Sequence, residues 1–426
     1  MMDRLRCLKL PMLWACCVLA SGAAAQEGVI TLTPPAGEED RAMGRGDLKT
    51  LDTLLASAGD PVRRELISAY KARLEFRLAD SDLHAERCSD LAQMDIRQYY
   101  ASEAKCRSVL AGNRLLAGDT AGWIDLMRHA LVAVEQFARD QAYQLYPGKF
   151  AADARVTLPG AVTLPEVDAG SPSFLYGHEG EVVKRVPYLD EGTSSDGTPN
   201  GPFTIEAYAN GELADFIFDT GAQTLIGGRL AKRLFLDAGQ SAAGNINLNI
   251  YLQGRKVAAR LVALKSLRFG SFEARDMTVL LSDDPEMPNV IGLNVMRNMR
   301  PFRVTKDRVE MDASSSCDSK FMVASNAVAT NSFLVASVEI EGRPVLSDID
   351  TGNPSLVIEY EDREARAPVP EAGQITVNGQ KAAPIRRAKG SEYGADYNVG
   401  AALLESQNIF LDFSARRICF EDRLEI

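Results

Sequence analysis

The spacing of apolar residues changes along the chain and separates a helical part from a β-rich part. Between residues 47 and 145, leucine and other apolar residues recur every three or four positions, which is the spacing of amphipathic helices. Beyond residue 201, short apolar runs are separated by glycine and asparagine turns, which is typical of strands in a barrel-like domain. We therefore expect an α+β multidomain chain in which an N-terminal helical bundle precedes an all-β barrel domain.

Four helical stretches are predicted in the N-terminal bundle. The first covers residues 48–55, and the second begins near Pro61, a residue that is favoured in the first turn of a helix. The third covers residues 101–116 and the fourth residues 120–143. Antiparallel helices of this kind are similar to a short tetratricopeptide-like array, although no repeat signature is present. Two roles stay open: a surface that docks a partner protein, and a bundle that supports the next domain.

The first 25 residues have the pattern of an export signal. A basic start is followed by a short apolar run from Leu10 to Ala20 and by three alanines that end at Ala25. The run is much shorter than the ~20 residues that a membrane span needs. We therefore expect cleavage after Ala25, a periplasmic or secreted protein, and no stable membrane anchor.

The net charge limits the classes of binding partner that are expected, and the cysteines indicate the cellular compartment. A formal net charge of −11 argues against nucleic-acid binding, which requires a basic surface. Three of the seven cysteines lie in the export signal, and the four that remain favour two disulfides in an oxidising compartment. Proximity along the chain favours the pairs Cys88–Cys106 and Cys317–Cys419, with free thiols as the alternative. No C-x-x-C spacing is present, and we expect neither a metal nor a cofactor.

A nearly repeated motif is the strongest signal in the β-rich part. Residues 210–221 and 341–352 each contain a turn glycine, an apolar strand and then Asp-Thr-Gly, and in both the glycine precedes the aspartate by eight residues. Downstream of each copy, an apolar residue and a glycine open a predicted short helix. One Asp-Thr-Gly occurs by chance in roughly one chain in ten of this length. Two copies in matching contexts are a coincidence of about one in a hundred or rarer.

These residues resemble the retropepsin-like aspartic proteases of the pepsin and retropepsin clan, in a bacterial exported form with two internally duplicated lobes. The likeness rests on the stretches 218–222, 230–234 and 290–292. It covers residues 200–315 well and 330–422 less well. In that family each lobe supplies one catalytic aspartate, and the two lobes close a single site, from two chains in retroviral members and from one chain in pepsin-like ones. The resemblance therefore implies a bilobal acid-protease barrel.

The resemblance assigns Asp219 and Asp350 as the catalytic pair of an aspartic endopeptidase that acts on polypeptides in the cell envelope. Two carboxylates within hydrogen-bond distance share one proton, because they cannot both ionise readily. The ionised carboxylate takes a proton from the attacking water, and the protonated one donates to the scissile carbonyl. The residues expected to support the pair are Thr220, Gly221, Ala222, Thr351, Gly352 and Asn353. The lobe signatures are Ile291, Gly292, Val399 and Gly400.

The second lobe departs from the family in two ways. Asn353 stands where the family usually has Ser, Thr or Ala, and we expect its amide to donate to a carboxylate or to bias which aspartate is charged. The second lobe is also shorter, since 50 residues separate Asp350 from its downstream glycine, against 73 in the first lobe. We therefore expect the first lobe to build a flap near residues 243–245 and the second lobe to have little or none.

Two further readings of the site stay open beside the single-chain protease. One is a catalytically decayed module that binds peptides or assembles with other proteins. The other is a homodimeric protease that pairs Asp219 with its symmetry mate and leaves the second lobe structural. Other hydrolase chemistries fit poorly, because His84, His129 and His178 are the only histidines and none lies in the β-rich part.

The sequence thus predicts six segments, of which the linker is expected to contain edge strands such as residues 181–186. They are a signal peptide at 1–25, a flexible tether at 26–46, a helical domain at 47–145, a linker at 146–200, a first retropepsin-like lobe at 201–316, and a shortened second lobe at 330–426.

Overall fold

The computed structural model describes most of the chain from residue 29 to residue 423. The described ranges are 29–31, 37–127, 155–157, 172–177, 180–187, 201–235, 248–252, 255–282, 284–329, 331–355, 357–361, 375–382, 386–389 and 394–423. The predicted signal peptide, residues 1–25, lies outside them. No helix in these ranges is long and apolar enough to cross a membrane.

Two compact units are present, and the smaller one consists of residues 1–33 and 135–159. Its described part is a parallel pair of strands, β1 (Val29–Thr31) and β2 (Arg155–Thr157). The larger unit consists of residues 34–134 and 160–426 and contains all the elements that follow.

The N-terminal part of the larger unit is helical, as predicted. Its helices are α1 (Glu38–Arg45), α2 (Leu48–Ser57), α3 (Pro61–Leu74), α4 (Leu78–Met94), α5 (Ile96–Leu116) and α6 (described over residues 120–127). Pro61 occupies the first turn of α3, where its missing N–H costs nothing. Helix α4 is not among the four predicted stretches, because its buried face consists mainly of alanine, serine and cysteine rather than large apolar residues.

Helix α1 corrects the prediction of a tether at residues 26–46. The backbone N–H of Gly37 donates to the side chain of Asp40 at 2.7 Å, which satisfies the helix start. At the other end, Gly46 ends the helix in the left-handed conformation, with φ of 76°. Between them Met43 is buried. Local capping and one apolar anchor therefore order a segment whose composition is typical of a linker.

The β region of the same unit contains two lobes and a sheet between them. Lobe 1 consists of β5 (Thr204–Ala209), β6 (Glu212–Phe218), β7 (Leu225–Ile226), α7 (Gly228–Phe235), β8 (Leu248–Leu252), β9 (Arg255–Phe269), β10 (Phe272–Leu281), β11 (Asn289–Ile291) and α8 (Leu293–Met296), with β3 (Ser173–Tyr176) paired to β10. Lobe 2 consists of β14 (Met322–Ser325), β15 (Ser332–Ile340), β16 (Arg343–Asp350), β17 (Val357–Glu361), β18 (Ile375–Val377), β19 (Gln380–Ala382), β20 (Arg386–Lys389), β21 (Tyr397–Gly400) and a 3-10 helix (Ala401–Glu405).

The sheet between the lobes takes strands from distant parts of the chain. Its strand order is β23 (Arg417–Asp422), β22 (Gln407–Asp412), β12 (Phe302–Val304), β13 (Arg308–Met311) and β4 (Val182–Val186). Strand β4 also pairs with β5, which connects this sheet to lobe 1. The strand predicted at residues 181–186 is therefore present, but it lies between two other strands rather than at an edge. The second lobe also begins earlier than predicted, because β14 pairs with β15.

The two lobes repeat one pattern of strand pairing around the Asp-Thr-Gly loops. In lobe 1, β6 pairs antiparallel with β5 and parallel with β11, and β11 pairs antiparallel with β7. In lobe 2, β16 pairs in the same ways with β15 and β21, and β21 with β17. The difference in length lies before the hairpin whose turn glycine is Gly270 in lobe 1 and Gly379 in lobe 2, since 51 residues separate Asp219 from Gly270 but 29 separate Asp350 from Gly379.

The helical part packs directly on the lobes. Met43 and Leu66 from the helices share an apolar cluster with Ala324 and Val335 of lobe 2. Leu116, at the end of α5, belongs instead to the main core, which runs through both lobes. The helices thus bury apolar surface against the β region on more than one side.

Both disulfides have the pairing that proximity along the chain favours. Cys88–Cys106 joins α4 to α5, and Cys317–Cys419 joins the segment before β14 to β23, with Cα atoms 5.9 and 6.0 Å apart. A disulfide stabilises a fold mainly by restricting the unfolded chain, and more so for a longer loop.

Removal of Cys317–Cys419 by the double change to alanine is expected to lower the free energy of unfolding by about 4 kcal/mol. The bond closes a loop of 102 residues, whereas Cys88–Cys106 closes one of 18. Urea unfolding of both double variants checks this, and the shorter loop should cost less, about 3 kcal/mol. Equal stability of wild type and the Cys317–Cys419 variant would contradict the expectation.

Candidate active site

Each Asp-Thr-Gly loop follows a buried strand. Phe218, at the end of β6, and Ile349, near the end of β16, are both buried in the core. Strand β11 lies parallel to β6, and the backbone N–H of Asp219 donates to the carbonyl of Ile291 at 2.9 Å. The loops are therefore held at the ends of rigid strands rather than on the surface.

The side chains of Asp219 and Asp350 meet between the lobes. Their carboxyl groups lie against the same glycine, Gly221. A methyl group built on Gly221 would lie 2.9 Å from Cγ of Asp350 and 3.2 Å from Oδ1 of Asp219. A methyl group on Gly352 would clash with the carboxyl of Asp219. The close approach therefore requires glycine at both positions, and the structure brings the two predicted catalytic residues together within one chain.

Reciprocal hydrogen bonds between Thr220 and Thr351 hold the two loops in register. The backbone N–H of Thr220 donates to Oγ1 of Thr351 at 3.2 Å, and the backbone N–H of Thr351 donates to Oγ1 of Thr220 at 3.1 Å. The Thr220 hydroxyl then donates to the carbonyl of Ile349 at 2.5 Å, and the Thr351 hydroxyl donates to the carbonyl of Phe218. Both threonines are buried, so these bonds are shielded from water.

The lobe-signature glycines let the neighbouring loops approach. A methyl group on Gly292 would clash with the carbonyl of Ala222, and one on Gly400 would clash with the carbonyl of Asn353. Those same carbonyls accept N–H groups from the helix starts, Leu293 at 2.8 Å and Ala401 at 2.7 Å. The apolar partners of the glycines, Ile291 and Val399, are buried in the core.

The two aspartates receive different numbers of hydrogen bonds. Asp219 accepts the N–H of Gly221 at 2.7 Å. Asp350 accepts the N–H groups of Gly352 and Asn353, both at 3.0 Å, and the side-chain amide of Asn398 at 2.7 Å. Hydrogen bonds to a carboxylate favour its ionised form. The site is therefore asymmetric.

Burial raises the pKa of Asp219 well above its ordinary value, and the charge of Asp350 raises it further. The N–H groups of Gly221 and Gly352 lower the pKa of Asp219, but the net direction is upward. Asp219 is only 7% exposed, so little water reaches it to stabilise the charge. A raised pKa on one member of a carboxyl pair is the condition under which the pair keeps one proton.

The side chain of Asn353 does not donate to a carboxylate, which corrects the direct contact expected from the sequence. Its amide donates to Oδ1 of Asn398 at 2.7 Å, and Asn398 in turn donates to Asp350. Asn398 was not identified from the sequence. The available signal was its position before Val399, where lobe 1 has the apolar residue Val290.

The predicted flap position, residues 243–245, lies outside the described residues. Lobe 1 does contain a hairpin between β8 and β9 just after that position. Beside the first loop, the side chain of Gln223 donates to the hydroxyl of Ser332 across the lobes. His84 lies in the helical part, 2.7 Å from Glu65, and the other two histidines lie outside the described residues.

Comparison with known proteins finds a family match that covers most of lobe 1. Residues 205–295 match the aspartyl protease family model, a range that includes the first Asp-Thr-Gly and the first lobe signature. A crystal structure of a retropepsin-like aspartic protease from Rickettsia conorii is similar at 20% sequence identity, with a TM-score of 0.23, over 33% of this chain and 94% of that chain. No curated protein sequence matches the chain.

The predicted order of an N-terminal helical part followed by a β-rich barrel domain is confirmed, and lobe 1 is similar to the aspartyl protease family. The second Asp-Thr-Gly, at residues 350–352, lies outside the matched range.

Proposed function

We propose that the protein is an aspartic endopeptidase in which Asp219 and Asp350 of the same chain activate one water. The observation that carries this proposal is the close approach of the two carboxyl groups, which both lie within 3.2 Å of the point that a methyl group on Gly221 would occupy. The reciprocal Thr220–Thr351 bonds support it, because they fix both loops at the distance that a shared proton requires.

The reaction uses the shared proton and one water. As the water oxygen attacks the scissile carbonyl carbon, the ionised carboxylate takes a proton from the water and the protonated carboxyl donates its own to the carbonyl oxygen. The C–N bond then breaks, and a proton passes to the leaving amine. The buried threonine pair holds both carboxyls, so little reorganisation is needed when charge moves between them.

We infer that lobe 2 is a shortened copy of lobe 1. The matching strand pairings around both loops support this, and so does the shared position of the turn glycines Gly211 and Gly342, which both have positive φ. Action in the cell envelope, after export, is part of the same proposal and is supported by the export pattern at residues 1–25 and by the two disulfides.

Cleavage of a denatured protein is expected to have a bell-shaped pH dependence with its maximum in the acid range. Below the first pKa of the pair both carboxyls are protonated and no base remains, and above the second both are ionised and no acid remains. A statine-type analogue, whose hydroxyl takes the place of the attacking water, should inhibit cleavage. Measurement of kcat/KM against pH, with and without the analogue, checks both expectations. Peptide binding without cleavage at any pH would favour the decayed binding module instead.

A further inference from the structure

We propose that Asn398 is a positioning residue that keeps the shared proton of the pair on Asp219, so that Asp350 is the general base and Asp219 the general acid. The proposal rests on the proposed function. It concerns a residue that lies on a strand of lobe 2, outside both Asp-Thr-Gly loops.

The orientation of the Asn398 amide follows from a chain of donors and acceptors. The backbone N–H of Ser355, which can only donate, donates to Oδ1 of Asn353 at 2.9 Å. The other end of the Asn353 amide is therefore its NH₂ group, which lies 2.7 Å from Asn398. Asn398 must present its oxygen there, so its own NH₂ group faces Asp350 at 2.7 Å.

Burial makes this donor effective. Asn398 is 4% exposed, and both ends of its amide are engaged, so rotation would leave a buried oxygen facing a carboxylate. A hydrogen bond to a charged group is roughly twice as strong as a neutral one. Together with the N–H groups of Gly352 and Asn353, the amide surrounds Asp350 with three donors.

Lobe 1 has neither of the two asparagines, Asn398 and Asn353, that form this arrangement in lobe 2. Asn398 pairs with Asp348 across β21 and β16, and the corresponding position beside Ile217 in lobe 1 is Val290. Ala222 stands where lobe 2 has Asn353. The asymmetry is therefore built into the side chains of one lobe, although the two backbones have the same pairing.

Titratable residues lie near Asp350 on the opposite loop, on its own strand and at the start of the paired strand β21. Asp219 faces it from the opposite loop, and Asp348 lies two residues earlier on the same strand, where its carboxylate accepts the N–H of Ala395 at 2.8 Å. Asp396 and Tyr397 lie next to Asn398 in sequence. Within the described residues, the donors that reach the Asp350 carboxyl are the N–H groups of Gly352 and Asn353 and the side-chain amide of Asn398.

The change Asn398→Val tests the proposal, because valine is the residue that lobe 1 carries at this position. If Asp350 ionises first, loss of the donor raises only the first of the two pKa values of the pair. The acidic limb of the kcat/KM profile should then move up by about one pH unit, while the alkaline limb stays in place. Movement of the alkaline limb alone would place the proton on Asp350 and overturn the proposal, as would no movement of either limb.

Two further variants distinguish a change in the pKa values of the pair from a general loss of stability. Asn398→Ser keeps a short donor and should give a smaller shift in the same direction. Asn294→Ala removes a buried amide beside the first loop, where Asn294 accepts the N–H of Thr224 at 2.9 Å. It should lower thermal stability without moving either limb.

A titration that needs no activity keeps this inference separate from the proposed function. Carbon NMR of protein labelled at the aspartate carboxyl carbon, assigned with Asp219→Asn and Asp350→Asn, should show that Asp350 ionises at lower pH than Asp219. In Asn398→Val the two titrations should move closer together. If the wild type cleaves nothing, the proposed function fails while this measurement still decides where the proton lies. Ionisation of Asp219 before Asp350 in the wild type would rule out the assignment.

Discussion

Replacement of either Asp219 or Asp350 by asparagine is expected to reduce kcat/KM for a polypeptide substrate by about 10²- to 10⁴-fold. Asparagine keeps the shape of the side chain but can neither take the proton of water nor hold the shared proton. Each change therefore removes one of the two proton-transfer roles. Cleavage of a denatured protein, measured for both variants at the acid optimum, checks the expectation.

The two substitutions also separate the single-chain site from the homodimer. If only Asp219→Asn abolishes cleavage, Asp219 pairs with its symmetry mate in a second copy and lobe 2 is structural. If both abolish it, the pair within one chain is the catalytic one. A mixture of the two inactive variants should also remain inactive, since neither chain then contains a complete site.

Stability provides an internal control for Asp219→Asn. Because the folded pKa of Asp219 is raised, the native site keeps a proton that an unfolded aspartate releases above about pH 4. Native stability therefore falls as pH rises through the raised pKa. Asparagine imitates the protonated form, so the variant should be at least as stable as the wild type at pH 7. The difference in Tm between the variant and the wild type should shrink towards pH 4, where the folded wild type has a protonated and therefore neutral side chain at position 219, as the variant has.

Asp412→Asn is the matched control, because the pKa of Asp412 is shifted in the opposite direction and the expected change in stability is opposite as well. Asp412 is also buried, but it lies in the sheet between the lobes and pairs with Arg417 at 3.0 Å. Burial raises its pKa, yet the bonds from Ser414, Ala415 and Arg417 outweigh this and lower it. This contribution to stability is present above about pH 4 and is lost below it. Asp412→Asn should therefore lose stability at pH 7 and keep cleavage within a few-fold of wild type.

The second large effect is expected for Arg73→Met, with a loss of about 3–5 kcal/mol in the free energy of unfolding. Arg73 is fully buried, and its guanidinium donates to Asn113 at 2.7 Å, to the carbonyls of Asn326 at 3.2 Å and Ala327 at 2.6 Å, and to the carbonyl of Val109. Methionine fills much of the same space but removes all four hydrogen bonds, of which those to Asn113 and Val109 are buried. Urea unfolding measures the loss.

The neighbouring Arg77→Met is the control for this substitution. Arg77 is exposed and pairs with Glu75 and Asp80 at the surface, where an ion pair contributes about 0–1 kcal/mol. Equal losses from Arg73→Met and Arg77→Met would show that Arg73 does not connect the two parts as described. Burial lowers the pKa of Arg73 to about 10, so it stays charged at neutral pH and its effect should not vary between pH 5 and 8.

Arg73 also bears on the role of the helical part. Two of the carbonyls that it binds, those of Asn326 and Ala327, belong to the loop before β15, and Ser332, at the start of β15, accepts the side chain of Gln223 beside the first Asp-Thr-Gly loop. The helices therefore contact a segment that leads to the site. This favours a bundle that supports the domain, and a higher KM for Arg73→Met, with kcat less affected, is the corresponding kinetic expectation.

Local patterns in the sequence predicted the elements and the chemistry. Helical spacing identified the N-terminal bundle, and the repeated Asp-Thr-Gly identified Asp219 and Asp350, because a strand and its following turn are encoded by adjacent residues. Cysteine spacing indicated the disulfide pairs for the same reason. Local patterns failed at α1, since helix capping at Gly37 and Gly46 and the burial of Ala42 and Met43 outweighed a linker-like composition.

Contacts between distant residues were decided only by the tertiary structure. Asn398 lies 48 residues from Asp350, and Arg73 lies 254 residues from Ala327. Strand β4 is an inner strand because it pairs with β13 on one side and with β5 on the other. Periodicity states which face of an element is apolar, but not which residue will face a given carboxylate. The sequence alone was therefore enough to identify the two aspartates. The hydrogen-bond donors around each carboxyl group are brought together only by the tertiary structure.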